Sequence, residues 1–141
     1  MIPRSVVFAV SVFALAAVSG SSAAADYKRV EPLVSTGQTI TGETIRYPEG
    51  APAKVDSLIV TMEPGESTGW HKHGVPTYGY ILEGELTVDY GDKGTKVYTP
   101  GTGFMEAMDR WHNGHNTGSA PMRVLVVFMG AEGFKNSIAK P

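Results

Sequence analysis

Two histidines, His71 and His73, are the residues whose type and spacing point most directly to chemistry. They lie within the stretch GESTGWHKHGVPTYGYILEG, residues 65–84, and one residue separates them. Side chains at positions i and i+2 of a β-strand share a face, so a strand here would present both imidazoles together, with Trp70 and Lys72 opposite. Two imidazoles on one face can ligate a divalent metal. The alternative is that two surface histidines lie close together without a function, and their spacing alone leaves both interpretations open.

The elements that must position these histidines have the pattern of short strands separated by turns. Strand patterns cover residues 38–47 (two short strands or a hairpin), 54–62, 78–82, 85–90, 95–99, 103–108, 111–116 and 122–129. Turn signals recur every ~8–12 residues, which is typical of an all-β sandwich or barrel. The apolar run Leu58-Ile59-Val60 predicts a strand covered on both faces. Trp70 and Trp111 are expected to pack in the core, and the tail from Gly130 is expected to be a surface extension.

The first 25 residues have the pattern of an export signal. Arg4 precedes an apolar run, residues 5–18, and Ala23-Ala24-Ala25 fits a small-residue cleavage site. The run is short for a membrane span, which needs ~20 residues, so cleavage is favoured over an uncleaved anchor. We therefore expect an exported protein, periplasmic or secreted, with no stable membrane span after cleavage.

Residues 26–141 are predicted to form a single domain, with enough length for one core. Of the 12 Lys and Arg residues, loss of Arg4 leaves 11 against 14 acidic residues, a formal charge of −3. That balance offers no basic surface for nucleic acid. The chain has no cysteine, which excludes disulfides, thiolate catalysis and cysteine zinc sites.

Around the paired histidines the sequence resembles the cupin family. The first cupin motif, G-x5-H-x-H-x3-E-x6-G, is matched in its spacing by Gly65, His71, His73, Thr77 and Gly84. A second motif, G-x5-P-x-G-x2-H-x3-N, is matched in part. Gly101, His112 and Asn116 hold its positions, whereas its proline and second glycine are Ala107 and Asp109. The resemblance is to small single-domain cupins of the cupin-2 type, with a barrel core of about residues 54–130.

The resemblance implies a double-stranded β-helix, or jelly-roll, barrel with a divalent metal inside. Carried over by position, the ligands are His71, His73 and His112. The family's glutamate falls on Thr77, whose hydroxyl is a poor ligand. Three neutral imidazoles leave the ion its full charge, which favours an anionic or chelating molecule, or hydroxide, at the open positions.

Four further residues are candidates to line the pocket or contact the ligands: Thr77, Tyr78, Glu106 and Asn116. Glu106 is a candidate replacement carboxylate because it lies between Gly101 and His112. Tyr78 follows Thr77 and points to the opposite face if the strand is regular. Asn116 is expected to stabilise a turn, and His115 is expected to be exposed.

Three classes of function remain open from the sequence. The first is a metal-dependent enzyme acting on a small molecule as a dioxygenase, isomerase or lyase, and the second is a non-catalytic module that binds a metal or small ligand. The third is a structural role in the cell envelope. Ligand chemistry allows iron, manganese, nickel, copper or zinc. A homodimer through the strands around Thr39–Tyr47 is also expected, from the resemblance and from the edge-strand argument.

Overall fold

Short antiparallel strands in three sheets make up the fold. The structure is a computed structural model and describes residues 29–141. In chain order the strands are β1 (Ala53–Met62), β2 (His71–Lys72), β3 (Thr77–Glu83), β4 (Leu86–Asp89), β5 (Thr95–Tyr98), β6 (Gly103–Met105), β7 (Asn113–His115), β8 (Met122–Ala131) and β9 (Ile138–Ala139). A 3-10 turn, Gly91–Lys93, joins β4 to β5. The all-β prediction is confirmed, and the predicted signal peptide, residues 1–25, lies outside the described residues.

The larger sheet has four strands in the order β1-β8-β3-β6, all antiparallel. β1 pairs with β8 along its whole length, from Ala53 opposite Ala131 to Met62 opposite Met122. The second sheet has the order β5-β4-β7, and the third joins β2 to β9. Because strands distant in sequence pair with one another, the chain winds between sheets instead of forming consecutive hairpins.

The core draws side chains from both larger sheets. Ile81, Met122 and Val124 come from the four-stranded sheet, and Leu86 and Val88 come from the three-stranded sheet. Each of these strands alternates buried and more exposed positions, as expected when one face covers a core. The buried cluster therefore lies between the two sheets.

A close approach inside this core requires glycine at position 79. Gly79 lies opposite Phe104 in the β3–β6 pair. A Cβ atom at Gly79 would lie 2.6 Å from Cζ of Phe104. The phenyl ring thus lies across the backbone of β3, stacked on Tyr98 with a centroid distance of 4.0 Å.

Several local predictions were wrong. β1 is an edge strand, and Leu58 and Ile59 are 45% and 49% exposed, so the apolar run is not covered on both faces. Residues 38–47 form no regular strand, and of the two predicted alternatives only a short hairpin is present, with one antiparallel bridge from Gln38 to Thr44. The tail forms β9 and pairs with β2, with His71 opposite Ala139 and Lys72 opposite Ile138, so it is not a free surface extension.

From residue 29 onward, the chain contains no helix that is both long and apolar enough to cross a membrane.

Candidate metal centre

Direct cross-strand pairing brings His71 and His112 together. Each backbone N–H donates to the carbonyl of the other, at 3.0 Å for His71 N–H and 2.9 Å for His112 N–H. Residues that exchange both hydrogen bonds lie opposite each other and point their side chains to the same face. The two rings have centroids 4.4 Å apart. Tertiary pairing therefore joins histidines that are 41 positions apart in the sequence.

His73 joins this pair through strand alternation. It lies two residues after His71, so its side chain shares the same face. Its ring centroid is 4.9 Å from that of His71 and 5.0 Å from that of His112. Each histidine offers one ring nitrogen to the site, and these three nitrogens lie within 4.8 Å of one another. Three imidazoles are thus positioned to bind one metal ion.

Hydrogen bonds at Nδ1 fix the tautomer of all three rings. The Nδ1 atom of His71 lies 3.0 Å from the Gly69 carbonyl, and that of His112 lies 2.9 Å from the Arg110 carbonyl. The Nδ1 atom of His73 lies 3.0 Å from the Asn136 carbonyl. A carbonyl oxygen only accepts, so each Nδ1 carries the proton and each Nε2 keeps its lone pair. This is the arrangement that metal-binding histidines need.

The C-terminal tail supplies the anchor of His73, and sequence analysis missed it. Besides the Asn136 carbonyl, Oγ of Ser137 lies 3.0 Å from the same Nδ1 atom. The Asn136 side chain donates to Asp56 of β1 at 2.7 Å, which ties the tail to the barrel. The partners at Gly69, Arg110 and Asn136 are backbone carbonyls, which every residue type offers, so no sequence signal identifies them.

The electrostatics of the site favour neutral imidazoles. Burial, together with the neighbouring His112 and His71, lowers the pKa of His73 to about 3. Burial also lowers the pKa of His112 and of His71. Neutral rings with free Nε2 atoms are metal ligands without further proton loss.

One buried atom of the site has no hydrogen-bond partner within residues 29–141. Nε2 of His112 is buried and makes no hydrogen bond within the described residues. An unsatisfied buried nitrogen costs about 1–3 kcal/mol, which makes such groups rare. A metal ion among the three rings would satisfy it, so the donor set fits a divalent transition metal.

Glu106 is the cross-strand neighbour of Thr77, the position where the first cupin motif has its glutamate. The Glu106 N–H donates to the Thr77 carbonyl at 2.8 Å across the β3–β6 pairing, so the two residues are cross-strand neighbours. Both are buried and both line the cavity that holds the histidines. Oε2 of Glu106 lies 4.0 Å from Nε2 of His112, and Oε1 accepts the Ala107 N–H at 2.8 Å. Burial raises the pKa of Glu106 to about 7, and with His112 neutral this contact is not an ion pair.

Three other predicted positions have different surroundings. The Thr77 hydroxyl lines the cavity but donates to the Val75 carbonyl at 3.1 Å. Tyr78 does not line the cavity and borders a separate surface groove with Leu33 and Tyr47. Asn116 is buried outside the cavity, where its Nδ2 donates to the Met62 and Ala120 carbonyls and its Oδ1 accepts the Gly118 N–H.

The two tryptophans correct another expectation. Trp70 is 37% exposed, and Trp111 borders the same external groove instead of packing in the core. Nζ of Lys140 lies 5.3 Å from the Trp70 ring centroid, and Nζ of Lys72 lies 5.5 Å from that of Trp111. These residues alternate with the histidines, so when the histidines face inward the tryptophans face outward.

Asp109 keeps the backbone shape of the second motif although it replaces that motif's second glycine. It stands where that motif has its second glycine and has a φ of +52°. This left-handed region favours glycine, and aspartate is among the few other residues that enter it often. The turn before His112 thus keeps its backbone shape despite the change.

Residues 58–128 match the cupin domain family, which is half of the chain. The chain belongs to the cupin family. No curated protein sequence matches this cupin significantly.

Solved structures show the same jelly-roll fold. A mutant oxalate decarboxylase of Bacillus subtilis superposes with a TM-score of 0.51 at 24% identity, covering 60% of this cupin and 23% of that chain. A formate complex of the Lactobacillus farciminis oxalate decarboxylase gives 0.52 at 21% identity, over 60% and 26% of the two chains. The dimethylsulfoniopropionate (DMSP) lyase of Ruegeria pomeroyi gives 0.53 at 20% identity, over 61% and 43%. The match spans about a quarter of the decarboxylases and under half of the lyase. The similarity therefore shows the fold alone.

Proposed function

We propose that this cupin binds one divalent transition metal through Nε2 of His71, His73 and His112 and acts on a small molecule there. The observation that carries the proposal is the partnerless, buried Nε2 of His112 beside two histidines of the same tautomer. The metal is iron, manganese, nickel, copper or zinc, since all accept imidazole nitrogen. When bound, the ion supplies Lewis acidity or redox chemistry of the dioxygenase, isomerase or lyase type.

The protein residues would bind the ion and move a proton. The Nδ1 hydrogen bonds hold the rings in place, so the site requires little reorganisation. Glu106 is the only carboxylate that lines the cavity within residues 29–141. Its Oε2 atom faces His112, so it can accept or return a proton next to the ion.

Metal analysis with matched variants tests the proposal. Protein isolated from its own compartment should contain about one equivalent of metal, and His112→Ala should lose it. His115→Ala is the control, because His115 is only half-buried and does not line the cavity. Absence of stoichiometric metal from the unmodified protein, or retention by His112→Ala, would reject the proposal.

A second function is non-catalytic binding of a metal or small ligand. It is favoured by the cavity lining, where Glu106 is the only side chain besides the histidines that is placed for proton transfer. In that case ligand would raise the melting temperature of the metal-loaded protein. Mass spectrometry after long incubation would find no product.

Export and dimerisation are further proposals. We infer from the sequence pattern that residues 1–25 direct export to the periplasm or the medium. Amino-terminal sequencing of the mature protein should begin at Asp26. A homodimer would pair the segment Thr39–Tyr47, and light scattering at several concentrations checks this.

A further inference from the structure

The cavity beside the three histidines has an almost entirely apolar wall. Its volume is about 140 Å³. Strand β8 contributes Val124, Val126 and Phe128, which alternate along one face, and β1 and β4 contribute further valine, methionine and leucine side chains. The Phe128 ring lies 5.5 Å from that of His73, so this wall begins next to the metal ligands.

The hydroxyl groups in the wall are already hydrogen-bonded within the protein. Thr77 donates to the Val75 carbonyl, and Ser137 contacts Nδ1 of His73. Thr68 donates to the Gly69 carbonyl and accepts the Gly114 N–H. Within residues 29–141, the polar groups of the wall that remain for a ligand are the Nε2 atoms and the Glu106 carboxyl group, all at the metal end. A bound molecule thus finds polar partners at that end only.

Cationic side chains lie outside the cavity. Within residues 29–141 no lysine or arginine lines it. Lys72 pairs with Asp109 on the exterior, and Arg110 pairs there with Glu43 and Asp92. A second negative charge that lies beyond the reach of the metal would therefore be buried without a partner, which is strongly unfavourable.

We propose that the ligand of this cupin has one metal-binding head and a compact, uncharged hydrocarbon body of about the size of benzene. The size follows from the volume, because an apolar cavity of about 150 Å³ stays dry and binds benzene. Dianions, sugars and phosphates are disfavoured, since their additional polar groups would meet the apolar wall. The part of the proposal that concerns the metal-binding head rests on the proposed metal site. The part that concerns the apolar end of the cavity, called the chamber below, does not.

Competition for a Co²⁺ ion loaded into the site tests the head and the body together. Monocarboxylates of increasing size (acetate, butyrate and benzoate) and the dianion succinate are titrated against the visible Co²⁺ spectrum. Each buried methylene should tighten binding about fourfold, and succinate should bind at least about tenfold more weakly than butyrate. Equal affinities along the monocarboxylate series, or preference for a dianion, would overturn the proposal.

Matched variants on β8 locate the effect. Val126→Phe should abolish benzoate binding and leave acetate and Co²⁺ binding intact, whereas Val126→Ala should favour the larger body. Val127→Phe is the control, because Val127 is adjacent on the same strand but does not line the cavity. If Val126→Phe fails to fold, the Val126→Ala shift decides, and an unchanged preference in that variant counts against the chamber.

Benzene alone separates the chamber from the metal. In the metal-free protein, saturating benzene should raise the melting temperature, and Val126→Phe should remove this shift. Failure of the protein to bind Co²⁺ rejects the proposed function, whereas failure of benzene to stabilise it rejects the chamber, whatever the metal result.

Discussion

The inward and outward faces of one short stretch differ in the burial and pairing of their ionisable side chains. In Trp70-His71-Lys72-His73 the histidines face the cavity, while Trp70 lines an external groove and Lys72 contacts Trp111 and Asp109 on the exterior. Inside, burial lowers the pKa of the histidines and leaves one nitrogen without a partner. Outside, Lys72 pairs with Asp109, whose side chain is 69% exposed. Chemistry is therefore expected where groups are desolvated and converge, and the paired exterior groups contribute little energy.

Removal of the C-terminal tail should lower the metal affinity of the inward-facing histidines more than any other change. A chain ending at Phe134 loses both partners of His73 Nδ1, Asn136 and Ser137. Loss of groups that orient a metal ligand typically costs ~10–100-fold in metal affinity, and we expect a loss in that range. Competition with a coloured chelator measures it, and circular dichroism checks the fold. Lys140→Ala is the exterior control, and full affinity in the truncated protein would show that the tail does not position His73.

Moving the carboxylate should give the next largest effect. Glu106→Gln removes the cavity carboxylate, and we expect roughly tenfold weaker metal binding. Adding Thr77→Glu restores a carboxylate from the neighbouring strand, so the double variant should regain most of the affinity. The same chelator competition compares the three proteins. If Glu106→Gln binds metal as tightly as the parent, the carboxylate does not act on the ion.

Glu43 lines the external groove and pairs with Arg110, and its substitution should have a smaller effect. Burial would raise its pKa, but hydrogen bonds from Arg110, Thr39 and Thr41 outweigh burial and lower the pKa to about 2. Since folding lowers this pKa from its ordinary value of 4.5 to about 2, the stabilisation is complete above pH 4.5 and is lost as the pH falls towards 2. Glu43→Gln should cost about 1–2 kcal/mol at pH 7.

Urea denaturation at pH 7 and at pH 3 measures this difference. The gap in free energy of unfolding between Glu43→Gln and the parent should shrink at the lower pH. Asp92→Asn is the control, since Asp92 binds the same Arg110 but its side chain is 77% exposed. A gap that widens on acidification would contradict the assignment.

An exterior substitution should have the smallest effect. Lys72→Ala removes the exposed contacts to Asp109 and Trp111. We expect the free energy of unfolding to change by less than about 0.5 kcal/mol, with metal affinity unchanged. Thermal melts and chelator competition test this, and a tenfold loss of metal affinity would mean that the exterior groove acts on the site.

Sequence patterns predicted the strands well where turn residues bound them. β1 was expected at residues 54–62 and begins one residue earlier, and β5 and β8 lie close to their predicted ranges. Exposure was harder to predict, because Leu58 and Ile59 are apolar yet lie on an edge strand. Glu106 was named as a candidate carboxylate from its position before His112, but the intervening turn made strand alternation an unreliable guide to its direction.

By itself the sequence determined the all-β class and the pairing of His71 with His73, because strand alternation is a local property. Motif spacing also singled out His112. Only the tertiary structure decided that Glu106 lies across from Thr77, that the tail anchors His73, and that no lysine or arginine of residues 29–141 lines the cavity. These features depend on strand register and on backbone carbonyls, which are set by long-range pairing and leave no mark on residue type.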